Sequence, residues 1–143
     1  MKKNITVALF LAGLLLIFFS ACGKGEGPTT PTTLNAHFEF ISYTKEVNEY
    51  GWCQIEGLIK NTGNMPGYNV MLLFSAYNSS NTIIDTSSSD YADLGTISAN
   101  HTITFGTAFF GELKSWTEVA KLTYKITWLD DKGSTYNQEG VLF

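Results

Sequence analysis

The chain has 143 residues, of which 44% are hydrophobic and 15% charged, a composition typical of a globular rather than a disordered protein. Its 13 acidic side chains exceed its 9 lysines, and it contains no arginine, the side chain that binds phosphate through a bidentate fork. Because nucleic-acid binding requires a basic face, the composition argues against nucleic acid as a partner.

Residues 1–21 have the pattern of a secretory signal peptide. Lys2 and Lys3 form a short positive region, an apolar run follows at residues 5–19, and small residues precede Cys22, which is the order expected before a cleavage point. The apolar run is shorter than the ~20 residues with which a helix crosses a bilayer. A transmembrane anchor is therefore the weaker interpretation.

The residues at the predicted cleavage point, Phe19, Ser20, Ala21 and Cys22, resemble the lipobox of bacterial lipoproteins. That resemblance implies that Cys22 is acylated and contacts the membrane through its lipid; an ordinary signal peptide that contains a cysteine is the alternative. Phe19 stands where leucine is usual. Gly23 is not aspartate, which resembles the outer-membrane pattern in double-membraned bacteria. The implied location is the cell envelope, on the outer membrane, with the face left open.

Residues 22–34 are predicted to form a flexible tether of glycine, threonine and proline. Loss of Lys2 and Lys3 with the signal peptide leaves 7 lysines against 13 acidic residues, a formal charge of −6. Charge would therefore not draw the mature chain to an anionic membrane. If Cys22 carries lipid, Cys53 has no intrachain partner, and we expect it to be a buried, inert thiol.

From residue 35 to 143 the sequence alternates between short β-like runs and turn residues. The continuous apolar run at 70–74 predicts a central strand. Ser115 and Glu118 have the spacing of a helix capping box and predict a short helical turn at Ser115–Ala120. We expect Trp116 in this turn to cover one end of the core. The predicted strands, in chain order, are 38–43, 52–60, 68–77, 82–86, an irregular edge at 91–97, 102–110, 122–128 and 135–143. About seven strands at this spacing predict an all-β fold, an immunoglobulin-like antiparallel β-sandwich.

Residues 55–63, Ile-Glu-Gly-Leu-Ile-Lys-Asn-Thr-Gly, resemble the V-x-G-x-V-x-N strand of FxLYD-type domains in bacterial surface proteins. Residues 74–78 resemble the Phe-x-x-Tyr-Asp strand end of that family, with Asn78 in place of the aspartate and Ala76 in place of the leucine. Residues 94–105 resemble its later portion, with Asn100 where glycine is common. The resemblance implies an exported immunoglobulin-like sandwich and no shared activity. We also expect that a side chain at Gly57 would crowd the facing sheet.

No arrangement of residues in the sequence indicates a reaction, a cofactor or a metal. His37 and His101 stand alone, without a second ligand at metal-binding spacing, and no nucleophile elbow, phosphate-binding loop or zinc-protease motif is present. Asp85, Asp90 and Asp93 share one loop, which leaves a weak calcium site open. We therefore expect a protein that is not an enzyme and that holds no cofactor and no metal.

Four aromatic residues stand at strand or loop positions that could face outward: Tyr50, Trp52, Tyr91 and Tyr136. They are the candidate binding residues, since a contiguous exposed apolar patch marks an interaction site. The first functional hypothesis is a non-catalytic envelope module that binds protein, or assists assembly, through a sheet face or edge. The alternative is a carbohydrate-binding module, which requires two or three coplanar exposed rings for a glycan.

Overall fold

The computed structural model describes residues 35–87 and 93–143. They form eight strands and one 3-10 turn, Trp116–Glu118. In chain order the strands are β1 Phe38–Val47, β2 Cys53–Asn61, β3 Gly67–Tyr77, β4 Ile83–Thr86, β5 Asp93–Ile97, β6 Thr102–Ala108, β7 Lys121–Leu129 and β8 Thr135–Val141. The signal peptide at 1–21, Cys22, the tether at 22–34, Asp90 and Tyr91 lie outside the described residues.

Two antiparallel sheets make up the sandwich, which confirms the predicted fold class. One sheet has the strand order β1-β2-β6, and the other has the order β4-β3-β7-β8 with β5 also paired to β3. Strand β3 is central, as its apolar run predicts, because it pairs with β7 on one side and with β4 and β5 on the other. Its buried side chains are Val70, Leu72, Phe74 and Ala76.

The core lies between the sheets and follows the period-two alternation of the strands. In β7 the side chains of Leu122, Ile126 and Trp128 are buried on one face, as predicted. Aromatic rings from both sheets meet in the centre: Phe40 of β1 lies 4.9 Å from Tyr124 of β7 and 5.3 Å from Phe105 of β6, both edge to face. Aromatic pairs in this orientation add about 0.5–1.5 kcal/mol beyond the area they bury.

Strand β1 extends to Val47, four residues beyond the predicted end. A bulge between Phe40 and Ser42 inserts Ile41 into the strand, so the alternation of the first part does not continue in phase into the second. The second half also carries charged residues, and Lys45 and Glu46 are exposed. Because the alternation is interrupted and the second half is charged, the sequence pattern did not predict the last four residues of β1.

The structure places the crowding at Gly57 in a different sheet from the predicted one. A Cβ atom on Gly57 would lie 2.1 Å from the carbonyl oxygen of Ser42 and 2.8 Å from the Cα atom of Tyr43, and both residues belong to the neighbouring strand β1. Crowding at Gly57 therefore comes from the same sheet, and the expectation that it comes from the facing sheet was wrong. Glycine is needed because the bulged backbone approaches β2 closely.

Asn61, the asparagine of the V-x-G-x-V-x-N resemblance, ends β2 with a fully buried side chain. Its Oδ1 atom accepts hydrogen bonds from the backbone N–H groups of His37 and Gly63, at 3.1 and 3.0 Å. Its Nδ2 atom donates to the carbonyl oxygens of Met65 and Ile97, at 2.8 and 3.0 Å. One amide thus joins three chain segments at this end of the sandwich and satisfies their buried and part-buried backbone groups.

The predicted helical turn is the 3-10 turn Trp116–Glu118, with Ser115 as its N-cap. The Trp116 ring packs edge to face on Phe109 at 5.6 Å, and its indole N–H donates to the carbonyl oxygen of Glu46 at 2.8 Å. Phe109 is fully buried. Trp116 therefore covers one end of the core, as predicted.

Candidate binding surface

The hairpin loop between β1 and β2 presents two of the four candidate aromatic residues. Asn48 shapes this loop, since its Oδ1 atom accepts hydrogen bonds from the backbone N–H groups of Tyr50 and Trp52 at 3.1 and 3.0 Å. Gly51 has a φ of +78°, a left-handed conformation that glycine adopts without steric cost. The tight loop holds Tyr50 outward, with 70% of its surface exposed.

Tyr50, Trp52 and Phe110 form a contiguous aromatic surface, called here the hairpin patch. The Tyr50 and Trp52 ring centroids lie 5.5 Å apart with their planes at 36°. Phe110 meets Trp52 at 4.6 Å with the planes at 86°. Trp52 is half-buried and Phe110 is 38% exposed, so the patch is both accessible and held in shape by its own ring contacts.

Phe110 is the member of the patch that the sequence did not reveal. It follows Phe109 directly, and the structure buries Phe109 completely while exposing Phe110. The backbone N–H of Phe109 donates to the carbonyl oxygen of Cys53 at 2.9 Å, which continues the pairing of β6 with β2 past the end of β6. Extension of the alternation by two residues would have placed Phe110 beside Trp52 on the outer face.

The hairpin patch borders a shallow groove of about 230 Å³ on the outer face of the β1-β2-β6 sheet. Two small residues of β6, Gly106 and Ala108, form its floor, and the amide side chains of Asn48 and Gln54 line its rim. Ligand pockets usually measure about 300–1,000 Å³. The groove is too small and open to enclose a ligand, and it suits a flat or protruding contact.

Gly106 has no structural requirement for glycine. Its φ is not positive, and a Cβ atom at this position would meet nothing nearer than the Cβ of Glu56 at 3.8 Å, an ordinary van der Waals contact. Glycine inside a strand costs about 0.5–1 kcal/mol relative to alanine. It often marks a place where a ligand or another backbone comes close. The fold itself therefore gives no steric reason for a glycine at position 106.

The other two candidates do not belong to the patch. Tyr136 in β8 stacks on Trp128 of β7, with centroids 6.0 Å apart and planes at 18°, and its hydroxyl donates to Asp130 Oδ2 at 3.3 Å. Since Trp128 is 4% exposed, only the Tyr136 ring is accessible there. Tyr91 lies outside the described residues. The structure therefore unites Tyr50 and Trp52 and separates Tyr136 from them.

The charge on Asp130 affects the ionisation of Tyr136. Backbone hydrogen bonds from Ser134 and Lys132, together with the Tyr136 hydroxyl, lower the pKa of Asp130 below its usual value. In return, the negative charge of Asp130 and the hydrogen bond to it raise the pKa of Tyr136 above 10.0. The pair belongs to the turn between β7 and β8, in which Gly133 has a φ of +80°.

Cys53 and Asp85 are two further reactive side chains whose surroundings the structure defines. Cys53 is fully buried; burial, with the nearby carboxylates of Glu118 and Asp85, raises the pKa of its thiol against the opposing charge of Lys114. Asp85 accepts hydrogen bonds from the backbone N–H groups of Thr86 and Leu113. Within residues 35–87 and 93–143, no group of three or more His, Cys, Asp or Glu side chains could hold a metal ion.

Among the described residues, the secondary structure includes no helix with the length and apolar character needed to span a bilayer.

Comparison with known proteins leaves the family of the chain open. No family model matches the sequence, and no curated protein matches it. Among solved structures, the chain is similar to a calcium-binding mutant of Bacteroides uniformis beta-glucuronidase 2, with 15% identity and a TM-score of 0.31 over 74% of this chain. The match spans 13% of that enzyme's length, and a similarity at this level carries no functional argument.

Proposed function

We propose that this chain is a non-catalytic binding module of the bacterial cell envelope, anchored by a lipid on Cys22, and that it binds a protein partner through the hairpin patch. The observation that carries the proposal is the contact between three aromatic rings, Tyr50, Trp52 and Phe110, on an exposed surface. A contiguous exposed apolar patch on a β-sandwich is compatible with a binding role.

The ring geometry favours a protein partner over a glycan. A sugar-binding platform needs two or three rings in nearly one plane, whereas the planes of Tyr50 and Phe110 lie at 36° and 86° to that of Trp52. Protein interfaces, by contrast, use tyrosine and tryptophan in any packed orientation, and these residues often supply most of the binding energy.

Two observations support a non-catalytic role. The thiol of Cys53 is buried and its pKa is raised, so it is protonated at neutral pH and is a poor nucleophile. The groove beside the hairpin patch is lined by amides, a hydroxyl, small side chains and aromatic rings, and none of these groups is an acid or base that titrates near neutral pH.

The envelope location rests on the sequence of residues 19–22 and on the pattern before it. Replacement of Cys22 by serine removes the acylation site, and we expect Cys22→Ser to move the protein from the membrane fraction to the soluble fraction. Persistent membrane association of this variant would contradict the lipid anchor. The proposed relation to FxLYD-type domains is supported by the structural roles of Gly57 and Asn61, two positions of the motif.

The binding proposal is tested by crosslinking in the native envelope, followed by affinity purification and mass spectrometry. We expect the wild-type protein to capture one dominant, near-stoichiometric protein, and the variant Tyr50→Ala/Phe110→Ala to lose it. Tyr136→Ala is the matched control, because it also removes an exposed ring but lies away from the patch. Equal capture by the wild type and the patch variant, or no captured protein, would contradict the proposal.

A further inference from the structure

The outer face of the β1-β2-β6 sheet continues the hairpin patch into a longer surface. By strand register, Trp52 and Phe110 are followed along the sheet by the pair Gln54 and Ala108, and then by Glu56 and Gly106. A second depression, of about 280 Å³, begins beside Glu56. Its outward-facing side chains are Ser42, Thr44, Glu56, Leu58 and Thr104. The two depressions thus meet along β2, at the row of Glu56 and Gly106.

Beside Glu56 and Leu58, the side chains that flank β2 on this face are small. Ser42 and Thr44 stand on β1, and Thr104 and Gly106 stand on β6. Because these side chains project only a short distance from the sheet, a polypeptide in extended conformation can lie along it. Its backbone can approach that of the sheet most closely at Gly106. Close approach of a second backbone would explain the glycine inside β6, which the fold does not require.

The charges near the patch are negative. Glu46 pairs in register with Gln54, Glu56 pairs with Gly106, and Glu49 precedes Tyr50 in the hairpin loop. All three carboxylates are exposed. An acidic surface attracts a basic partner and repels an acidic one, which gives specificity and a faster encounter.

The nearby lysines form no ion pair with these carboxylates: within the described residues, ion pairs join His37 to Glu39 and Lys125 to Glu139. The ammonium group of Lys45 lies 3.7 Å from the centroid of the Phe143 ring and 5.6 Å from that of Trp116, on the inner side of β1. Lys114 donates to the carbonyl oxygen of Gly111 at 2.8 Å. Lys60 is on the outer face, but two rows beyond Glu56. The acids beside the patch therefore remain available to a cation from outside.

Resting on the proposed function, we infer that the partner contributes a basic, extended segment that lies over Gly106, with one lysine or arginine side chain on the Tyr50 and Trp52 rings and further basic side chains opposite Glu46 and Glu56. The aromatic faces attract the first cation, and the carboxylates along the sheet attract the others. A cation on an exposed aromatic face strengthens binding by about two- to fivefold.

The test is a fluorescence anisotropy titration of the full chain in detergent with a labelled peptide of alternating arginine and serine. We expect binding that weakens several-fold between about 20 and 300 mM salt, and no binding of the matched glutamate-serine peptide. The double variant Glu46→Gln/Glu56→Gln should bind the basic peptide roughly three- to tenfold more weakly. Glu139→Gln is the control, because Glu139 lies on the other sheet and pairs with Lys125 at 2.9 Å.

Failure of this inference is distinguishable from failure of the proposed function. Equal affinity for the basic and acidic peptides, or no effect of the double glutamate variant, would overturn the basic-segment inference even if Tyr50→Ala/Phe110→Ala still loses its envelope partner. If the protein bound a neutral oligosaccharide independently of salt, and the patch variant lost that binding, the basic-segment inference would be overturned in favour of a glycan. If the patch variant still bound both the basic peptide and the envelope partner, both proposals would be overturned.

Discussion

Gln138 of β8 makes two hydrogen bonds to the backbone of Phe38 in β1, and so joins the two sheets. Its Oε1 atom accepts from the Phe38 N–H at 3.0 Å, and its Nε2 atom donates to the Phe38 carbonyl oxygen at 2.7 Å. The side-chain amide thereby replaces the pair of bonds that a neighbouring strand would make. It satisfies backbone groups of a residue that is 1% exposed, on a strand that is paired on its other side with β2.

Gln138→Ala should lower the free energy of unfolding by about 1–3 kcal/mol, because two backbone groups of a buried residue lose their partners. The matched comparison is Gln138→Glu, whose carboxylate can accept from the Phe38 N–H but cannot donate to its carbonyl oxygen. Urea denaturation would measure both variants against the wild type. If both variants had the same free energy of unfolding as the wild type, the association of the two sheets would not depend on this amide.

Asn61→Ala should be among the most destabilising single substitutions in the domain. It removes four hydrogen bonds from a buried side chain and leaves backbone groups of three segments unsatisfied, at a cost of about 3 kcal/mol or more. Asn64→Ala serves as the control, because the exposed Asn64 accepts one hydrogen bond, from Asn35. A similar change in Tm for the two variants would contradict the role assigned to Asn61.

Gly57→Ala and Gly106→Ala should have opposite consequences, although both residues lie inside strands of one sheet. The new Cβ atom at Gly57 would clash with backbone atoms of the bulge in β1, and we expect destabilisation of about 2 kcal/mol or more. The Cβ at Gly106 would make only an ordinary van der Waals contact, with the Cβ of Glu56 at 3.8 Å, so stability should stay the same or rise by about 0.5–1 kcal/mol. Thermal unfolding measures both, and a Gly57→Ala variant as stable as the wild type would contradict the steric argument.

Asp130→Asn should lower the pKa of the Tyr136 phenol towards its usual value of 10.0, because the negative charge that raises it is removed. The asparagine oxygen can still accept from the N–H groups of Lys132 and Ser134. The lowered pKa of Asp130 also means that its contribution to stability is present above the unfolded-state value of about 3.9 and is lost as the pH falls through the folded-state pKa. The variant should therefore lose less stability in acid than the wild type.

An NMR titration of Tyr136, with stability measured at neutral and acid pH, checks both statements. An unchanged Tyr136 pKa in Asp130→Asn would show that Asp130 does not perturb the phenol. An unchanged dependence of stability on pH would show that the turn does not depend on the ionised carboxylate.

The strands could be predicted because most of them bury one face, and period-two alternation is then visible in the sequence. That is why the core face of β7 and the central position of β3 were predicted correctly. The bulge at Ile41 was not, since an inserted residue shifts the alternation without a marker such as glycine or proline. The role of Gly57 depends on that bulge and was therefore assigned to the wrong sheet.

The candidate surface was predicted in part, for a related reason. Tyr50 and Trp52 flank a glycine in a loop between two strands, so their exposure could be inferred locally. Alternation carried past the end of β6 puts Phe110 on the outer face, but Phe110 lies beside Trp52 only because β6 pairs with β2 in a particular register. Strand pairing likewise places Glu46 and Glu56 on the same outer face as the patch, one and two rows along the sheet from Trp52, and sequence alone does not supply that pairing.

The central claim, that the hairpin patch is the surface which binds a partner, is tested most directly by site-specific photocrosslinking in the native envelope. A photoreactive phenylalanine analogue placed at Tyr50 replaces an aromatic ring by one of similar shape, and the same replacement at Tyr136 is the control. We expect one discrete crosslinked protein from position 50 and none from position 136. Crosslinks from position 136 alone, or none from position 50, would contradict it.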